Sequence, residues 1–187
     1  MQKNTRRGDK KIRRALLLLL AALLLLLGWN RFVRWSYPQN YSGLVEQNAA
    51  RFALPSALLY ALIRTESGFD PAALSSAGAR GLTQITPDTF AWLQTKSGEA
   101  LALESLFEAE VSIRYGAFFL RMLLDEFGSE ATAVAAYHAG RGQVNAWLRD
   151  PVCSADGKTL REIPFPETRH YVEKVTKAAK RYAQLYE

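Results

Sequence analysis

The sequence predicts a mainly α protein, a single globular domain preceded by a hydrophobic N-terminal helix. Three observations carry that reading. Apolar residues recur at helical spacing almost throughout residues 42–187, with no run of alternating strands and no internal repeat. A charge-free run, ALLLLLAALLLLL over residues 15–27, stands apart from that pattern. A length of 187 residues leaves room for one domain of about 150 beyond it.

The elements follow in order. Residues 1–14 form a basic tail, and residues 15–35 read as a membrane-seeking helix. The stretch Ala15 to Trp29 spans only about 22 Å, short of the roughly 30 Å hydrocarbon core. Two readings therefore stay open: a cleaved secretory signal, or an uncleaved signal-anchor extended by Phe32, Val33 and Trp35 while Arg31 and Arg34 snorkel. No small-x-small cleavage site and no lipid-accepting Cys follows the run, which favours the anchor. Residues 36–41 are a polar, Pro-broken linker. Ser42 is expected to cap a helix running to Phe52, and Leu54-Pro55 breaks the chain before an apolar helix, Ser56 to Glu66. Residues 69–85, rich in Gly, Ser, Ala and Pro, read as an extended loop. Thr86-Pro87 is an N-cap followed by Pro at the first helical position, opening a helix to Gln94. A long amphipathic helix is expected over Leu106 to Phe127, closed by Gly128. Three more follow: Ala131 to Ala139, Gly142 to Leu148 and Glu167 to Tyr186.

Charge sorts the same way. The net charge of +6 is a terminal feature: residues 1–34 carry nine Lys/Arg against Asp9, a net of +8, and residues 35–187 carry −2. A nucleic-acid binder would need its basic stripe on the folded domain, so no nucleic-acid partner is expected. Under the positive-inside rule the tail stays cytoplasmic and the domain lies outside the membrane. One Cys and two His make no metal site at any recognised spacing, so no metal is expected. Cys153 reads as a packing thiol in a polar loop. Phosphate-cradling Gly motifs and the GxSxG elbow are absent from the sequence, and no cofactor is expected.

Glu66 is the first residue to weigh for chemistry. It follows Leu58, Leu59, Leu62 and Ile63 and precedes a Gly-rich loop. A carboxyl held between an apolar helix and a loop loses solvation, and the negative end of the helix acts in the same sense. Both raise its pKa, as a general acid requires. By composition alone, a solvated helix-end Glu remains the simpler reading.

The surrounding residues shift that balance. Glu66-Ser67-Gly68-Phe69-Asp70-Pro71, followed by Ala73, Ser75, Gly78-Ala79, Gly81-Leu82 and Gln84, resembles the ES-x-F-x-P…S-x-x-GA-x-GL-x-Q motif of the soluble lytic transglycosylase (SLT) family. These are lysozyme-like, peptidoglycan-cleaving domains related to goose lysozyme. Tyr115-Gly116 with Leu120 and Phe127 resembles the family's central helix, Ala135-Ala136-Tyr137-His138-Ala139-Gly140 its AAYNAG motif, and Ile163-Pro164-Phe165 with Glu167-Thr168-Arg169 and Tyr171-Val172 its closing segment. The blocks occur in the family's order and define a domain over residues 42–187.

The resemblance implies a lysozyme-like fold with Glu66 as the lone catalytic acid. It would protonate the oxygen between N-acetylmuramic acid and N-acetylglucosamine, then act as a base towards the muramic C6 hydroxyl. Peptidoglycan glycan strands would be the substrate, and the membrane would be a second partner through the N-terminal helix. Ser75 and Gln84 match sugar-binding positions, and Tyr137 matches the position whose hydroxyl orients the acid; core packing is its simpler role. His138, Glu167 and Tyr171 would line the cleft. Asp70 is expected to cap its own turn. Gly78 and Gly81 would serve turns or close approach to glycan. Three departures stand out: His138 replaces a usual Asn, bringing possible titration near neutral pH; Thr83 and Thr86 replace frequent Met residues; and Ser112 replaces an Asn in a structural role. A hydrolase using water on the same fold, and a non-catalytic wall-binding module, are the alternatives.

Overall fold

A computed structural model describes the backbone from Lys3 to Glu187 and the side chains of residues 16–29 and 31–187. The side chains of the basic tail, on which the expected orientation rests, lie outside the described residues. The chain divides into two units, Met1–Pro38 and Gln39–Glu187.

In the first unit, a single helix, α1, runs Lys3–Ser36. It does not stop at Trp29. Its segment Leu16–Ser36, 21 residues, is long and apolar enough to cross a membrane. Leu16–Leu20 and Leu23–Leu27 are all more than half exposed. Trp29, Phe32 and Trp35 follow one another along the last turns in tilted contacts, with ring centroids 6.0 and 6.1 Å apart.

The second unit is built around α3 (Ser56–Glu66), which occupies the bounds its sequence predicts. Every residue from Ala57 to Ile63 is buried, because a helix apolar on all sides can be satisfied only at the centre of a bundle. Fully burying side chains such as Leu59 and Leu62 stabilises by roughly 1.5–3 kcal/mol each. α8 (Pro166–Tyr186) packs along α3, and α2 (Ser42–Arg51) packs on both α3 and α5. Ser42 does not cap α2; Tyr41, at φ 59°, precedes it without a side-chain cap. Thr86 does cap α4 (Pro87–Ser97), its hydroxyl accepting from the Thr89 N–H at 3.3 Å, and the helix outlasts its expected end by three residues.

The long central stretch is divided. A 3-10 helix, Leu103–Phe107, precedes α5 (Ala109–Phe127), with Glu108 extended between them at φ −79°, ψ 124°. α5 ends at Gly128, as its sequence predicts. α6 (Glu130–Ala139) packs against α5 and α8, and α7 (Arg141–Leu148) packs against α6. Cys153 is buried and unpaired in the loop that follows. Among the described residues the only extended pairing is in the loop after α3, where Arg80 bridges Leu74 and Ile85.

That loop makes two close approaches, one to the 3-10 helix and one to α5. A Cβ on Gly81 (φ 72°) would lie 1.8 Å from the Leu106 carbonyl oxygen, and one on Gly116 would lie 2.5 Å from Thr83 Cβ. The absent side chain of Gly81 therefore makes room for the 3-10 helix, and its positive φ serves the turn that its sequence predicts. Thr83 donates from its hydroxyl to the Ser112 carbonyl at 2.7 Å, and its N–H donates to Ser112 Oγ at 3.2 Å. Ser112 is thus structural as expected, though it lies inside α5.

Candidate active site

Glu66 is the last residue of α3, so the buried helix fixes its backbone. Ser67 ties the turn beyond it: its hydroxyl donates to the Leu82 carbonyl at 2.9 Å and accepts from the Phe69 N–H at 3.1 Å. These bonds set the loop 69–85 against the end of α3. A hydroxyl directly after a helix end is a recurrent means of closing backbone bonds, the signal by which the sequence marks Ser67. The Asp70 carboxylate accepts from the Ala72 N–H at 2.9 Å, closing its own turn as expected.

The Glu66 carboxyl is raised from its ordinary 4.5 to about 7. Burial is the main cause. The hydrogen bond from Tyr171 and the positive charge of Lys174 oppose it, because both favour the ionised form. The Tyr171 hydroxyl donates to Glu66 Oε1. Tyr137, expected to perform that task, instead donates to the Thr83 carbonyl at 2.8 Å. The correction has a topological origin: α6 aims Tyr137 at the loop carbonyl, while α8, lying along α3, brings Tyr171 to the acid. Tyr137 remains near enough for the Glu66 charge to add to the burial that pushes its phenol upward.

His138 joins the two tyrosines' surroundings. Its Nδ1 lies 3.1 Å from the Thr168 hydroxyl, and its ring packs on Tyr171 with centroids 4.5 Å apart. Burial pushes its pKa down, with Glu167 opposing, which favours neutral imidazole at neutral pH. His138 borders two open clefts. One, of about 460 Å³, is flanked by Trp92, Phe119, Tyr137 and Arg141. The other, of about 500 Å³, is flanked by Thr65, Glu167, Tyr171 and Lys174.

The loop residues are occupied locally. Ser75 Oγ accepts from the Ala79 N–H at 3.0 Å, and the Ser75 N–H donates to the Ala79 carbonyl at the same distance. Gln84, at φ 50°, folds its amide nitrogen back to the Ala73 and Gly81 carbonyls at 3.1 and 3.0 Å. Its amide oxygen is the group left to meet a ligand. Glu167 stands in the first turn of α8 and lines the second cleft.

Sequence reasoning missed Trp92, Arg141 and Lys174. Arg141 lies over the Trp92 ring at 5.8 Å, making one wall of the first cleft from two helices. Only the fold brings that pair together. Lys174 was readable: Glu167, Tyr171 and Lys174 are spaced i, i+4, i+7 on one helix, which sets them on one face.

Comparison with known proteins agrees with this geometry. The family model described as the Transglycosylase SLT domain matches residues 43–157. The chain is 33% identical over 144 residues to the soluble lytic murein transglycosylase of Escherichia coli K12, an alignment covering 74% of this chain and 22% of that protein. It is 29% identical over 166 residues to the membrane-bound lytic murein transglycosylase C of Yersinia pestis, covering 76% of this chain and 46% of the relative. Among solved structures, it matches an inactive variant of the lytic transglycosylase Slt of Pseudomonas aeruginosa with TM-score 0.71 and 32% identity, over 82% of this chain and 25% of that one. The chain thus spans between about a fifth and a half of the length of these relatives. With the family model covering more than half of its residues and a lysozyme-like helical fold built around Glu66, the chain belongs to the transglycosylase SLT domain family.

Proposed function

We propose that the protein is a peptidoglycan lytic transglycosylase that cleaves the bond between N-acetylmuramic acid and N-acetylglucosamine and leaves a 1,6-anhydro-muramic end. The observation that carries this is one carboxyl with a raised pKa, Glu66, hydrogen-bonded by Tyr171, with Tyr137 lining one open cleft and the acid's neighbours Thr65 and Tyr171 lining the other. An acid of pKa about 7 is protonated for a large fraction of the time at neutral pH and can still give up its proton, which suits general acid catalysis.

Glu66 donates its proton to the glycosidic oxygen as the C1–O bond breaks, and the N-acetylglucosamine side leaves as an alcohol. The resulting carboxylate takes the proton of the muramic C6 hydroxyl as that oxygen bonds to C1. Glu66 ends protonated again, and no water is consumed. An internal hydroxyl already beside the reacting carbon can replace the second carboxyl that ordinary glycosidases position. The self-closed turn of Asp70 supports this one-carboxyl scheme, because that nearby acid is engaged by its own backbone. Ser75, Gln84, Tyr137, His138, Glu167 and Tyr171 are assigned to binding the glycan and shaping the cleft.

The names of the relatives support murein as the substrate, and that of the Yersinia protein supports a membrane location. We assign residues 15–35 as a signal-anchor, residues 36–41 as a linker and residues 42–187 as the catalytic domain, held on the extracytoplasmic side by the basic tail. The 21-residue apolar segment and the Trp29-Phe32-Trp35 row suit a membrane span ending at an interfacial aromatic belt.

The test is release of soluble fragments from purified murein by the full chain in neutral detergent. Wild type should clear the suspension, and Glu66→Gln should not, with the helical circular dichroism unchanged. Equal clearing by both would refute the assignment.

A further inference from the structure

Beside the Trp92 wall of the first cleft lies a separate cavity of about 230 Å³, formed where the ends of α2 and α4 meet the first half of α5. Lys96 joins the two. It lines this cavity, and its ammonium lies 5.9 Å from the centre of the Trp92 ring, which lines the cleft. On α5 the consecutive residues Phe118 and Phe119 divide in the same way, the first lining the cavity and the second the cleft.

Three features suit this cavity to a carboxylate. The first is charge: Arg51, Lys96 and Arg114 stand against one acid, Glu99, a net of +2 on a part of the chain that is acidic as a whole. Among the described residues, Arg51 and Lys96 enter no ion pair. The second is an unused edge of Arg114, whose side chain is only 19% exposed. Its Nη1 donates to both Glu99 oxygens, at 2.6 and 2.7 Å, so the pair is joined through a single nitrogen. Nε and Nη2 have no hydrogen-bond partner among the described residues, and together they form the two-pronged donor that matches a carboxylate. Glu99 is itself fixed. It also accepts from the Tyr115 hydroxyl at 2.7 Å, and the bonds from Arg114 and then Tyr115 hold its carboxyl below the ordinary 4.5. The third feature is an apolar wall, Phe52 and Phe118, half-buried with ring centroids 5.7 Å apart. An inorganic anion has nothing to place against that wall, whereas a carboxylate beside a small apolar side chain does.

We propose that this cavity binds the terminal carboxylate of a murein peptide stem, with the methyl group of a final D-alanine against Phe52 and Phe118. The proposal rests on the reading of the first cleft as the site of the glycan. A stem branches from that glycan, and the 5.9 Å between the Trp92 ring and the Lys96 ammonium is covered by two extended residues at about 3.3 Å each. The volume is below the roughly 300–1,000 Å³ of sites that enclose a whole small ligand, and suits the end of a chain. The cavity then holds the strand by its branch while Glu66 acts on its sugars. Arg51 and Lys96 also stand in the last turns of α2 and α4, where positive charge offsets the helix ends, so stability has to be read beside binding.

The experiment is NMR of the full chain in neutral-detergent micelles, following the Arg114 Nε–H and the Phe52 and Phe118 rings during titration with acetyl-D-alanyl-D-alanine, which carries no sugar. Saturable shifts are expected, with none from its C-terminal amide, which has lost the charge. Acetylglycylglycine, which lacks the methyl groups, should bind more weakly. Arg51→Gln and Lys96→Gln should each weaken binding about threefold, the effect of losing one exposed charge pair, with little change in melting temperature. Arg114→Lys keeps a charge for Glu99 but loses the fork, and should weaken binding about tenfold with the helical circular dichroism unchanged. On soluble murein strands, Arg51→Gln and Lys96→Gln should raise the half-saturating concentration where stems are present and leave cleavage of peptide-free strands as in wild type. No saturable shift, equal binding of the amide, or affinity unchanged in all three variants would overturn the proposal. A lowered melting temperature with unchanged affinity would reduce Arg51 and Lys96 to helix-end charges and overturn it as well. Inorganic phosphate binding as tightly as the peptide would overturn the stem assignment in favour of a general anion site. A chain that binds the peptide and cleaves no murein would refute the enzyme reading and uphold this site; one that cleaves murein without binding the peptide would refute the site alone.

Discussion

Tyr171 on α8 donates a hydrogen bond to Glu66 at the end of α3, across 105 residues of sequence. This bond opposes the burial that raises the Glu66 pKa, so the acid sits at a balance of two effects. Removing the bond in Tyr171→Phe should raise the Glu66 pKa further above 7. The alkaline arm of the activity profile should then move upward by about one pH unit, the equivalent of losing part of a charged hydrogen bond. Lys174→Met should move it in the same direction, because a positive charge that favoured the carboxylate is gone. The check is the rate of murein clearing from pH 5 to pH 9. An alkaline arm that stays in place in both variants would show that these groups do not set the pKa.

The same balance has a consequence for stability. Glu66 has a folded pKa of about 7 against an ordinary 4.5, so between those values the folded state holds more protons than the unfolded one. Stability must then fall as pH rises from about 4.5 to 7, and level off above, by a total on the order of 3 kcal/mol or less. Glu66→Gln abolishes this contribution. Its melting temperature should exceed that of wild type at pH 8 and the difference should shrink towards pH 4.5, as read by thermal unfolding. A difference independent of pH would contradict a buried, proton-holding Glu66.

The contact between Thr83 and Gly116 offers a structural test. Any Cβ at position 116 would intrude to 2.5 Å from Thr83 Cβ, in a region where Thr83 and Ser112 are fully buried. Gly116→Ala should destabilise by roughly 1–3 kcal/mol, the usual cost of overpacking. It should also lower murein clearing at temperatures where the protein is still folded, because the Thr83 carbonyl anchors Tyr137 beside the acid. Unfolding curves and activity at one fixed temperature separate the two effects. Retention of wild-type stability would mean that the loop can retreat from α5 freely.

His138 gives a fourth expectation. Burial holds its pKa below the ordinary 6.5, so it gains charge only on the acid side. His138→Asn should therefore alter the acid arm of the activity profile and leave the alkaline arm, set by Glu66, in place. Superimposable profiles would assign His138 to packing between Tyr171 and Thr168 alone.

Helix content and most boundaries were legible in the sequence because local signals decide them. Thr86-Pro87 starts a helix through a side-chain cap and a fixed φ, and Gly128 ends one. Glu66 was legible because its motif and its apolar helix agree. The assignment of the tyrosines was not. Both Tyr137 and Tyr171 follow helical patterns that bury one face, and only the packing of α8 along α3 decides which hydroxyl meets the carboxyl. The break at Glu108 escaped for a related reason: the apolar spacing continues across it, while the backbone does not. The Arg141–Trp92 wall joins two helices far apart in sequence, beyond the reach of any periodicity.

The chemical form of the sugar end released from murein by the full chain tests the central claim most directly. One-carboxyl chemistry through Glu66, with the muramic C6 hydroxyl as nucleophile, predicts fragments ending in 1,6-anhydro-muramic acid, lighter by one water than a hydrolysed end and resistant to borohydride reduction. Mass spectrometry that finds reducible muramic acid ends, with no anhydro form, would contradict it and leave water as the nucleophile.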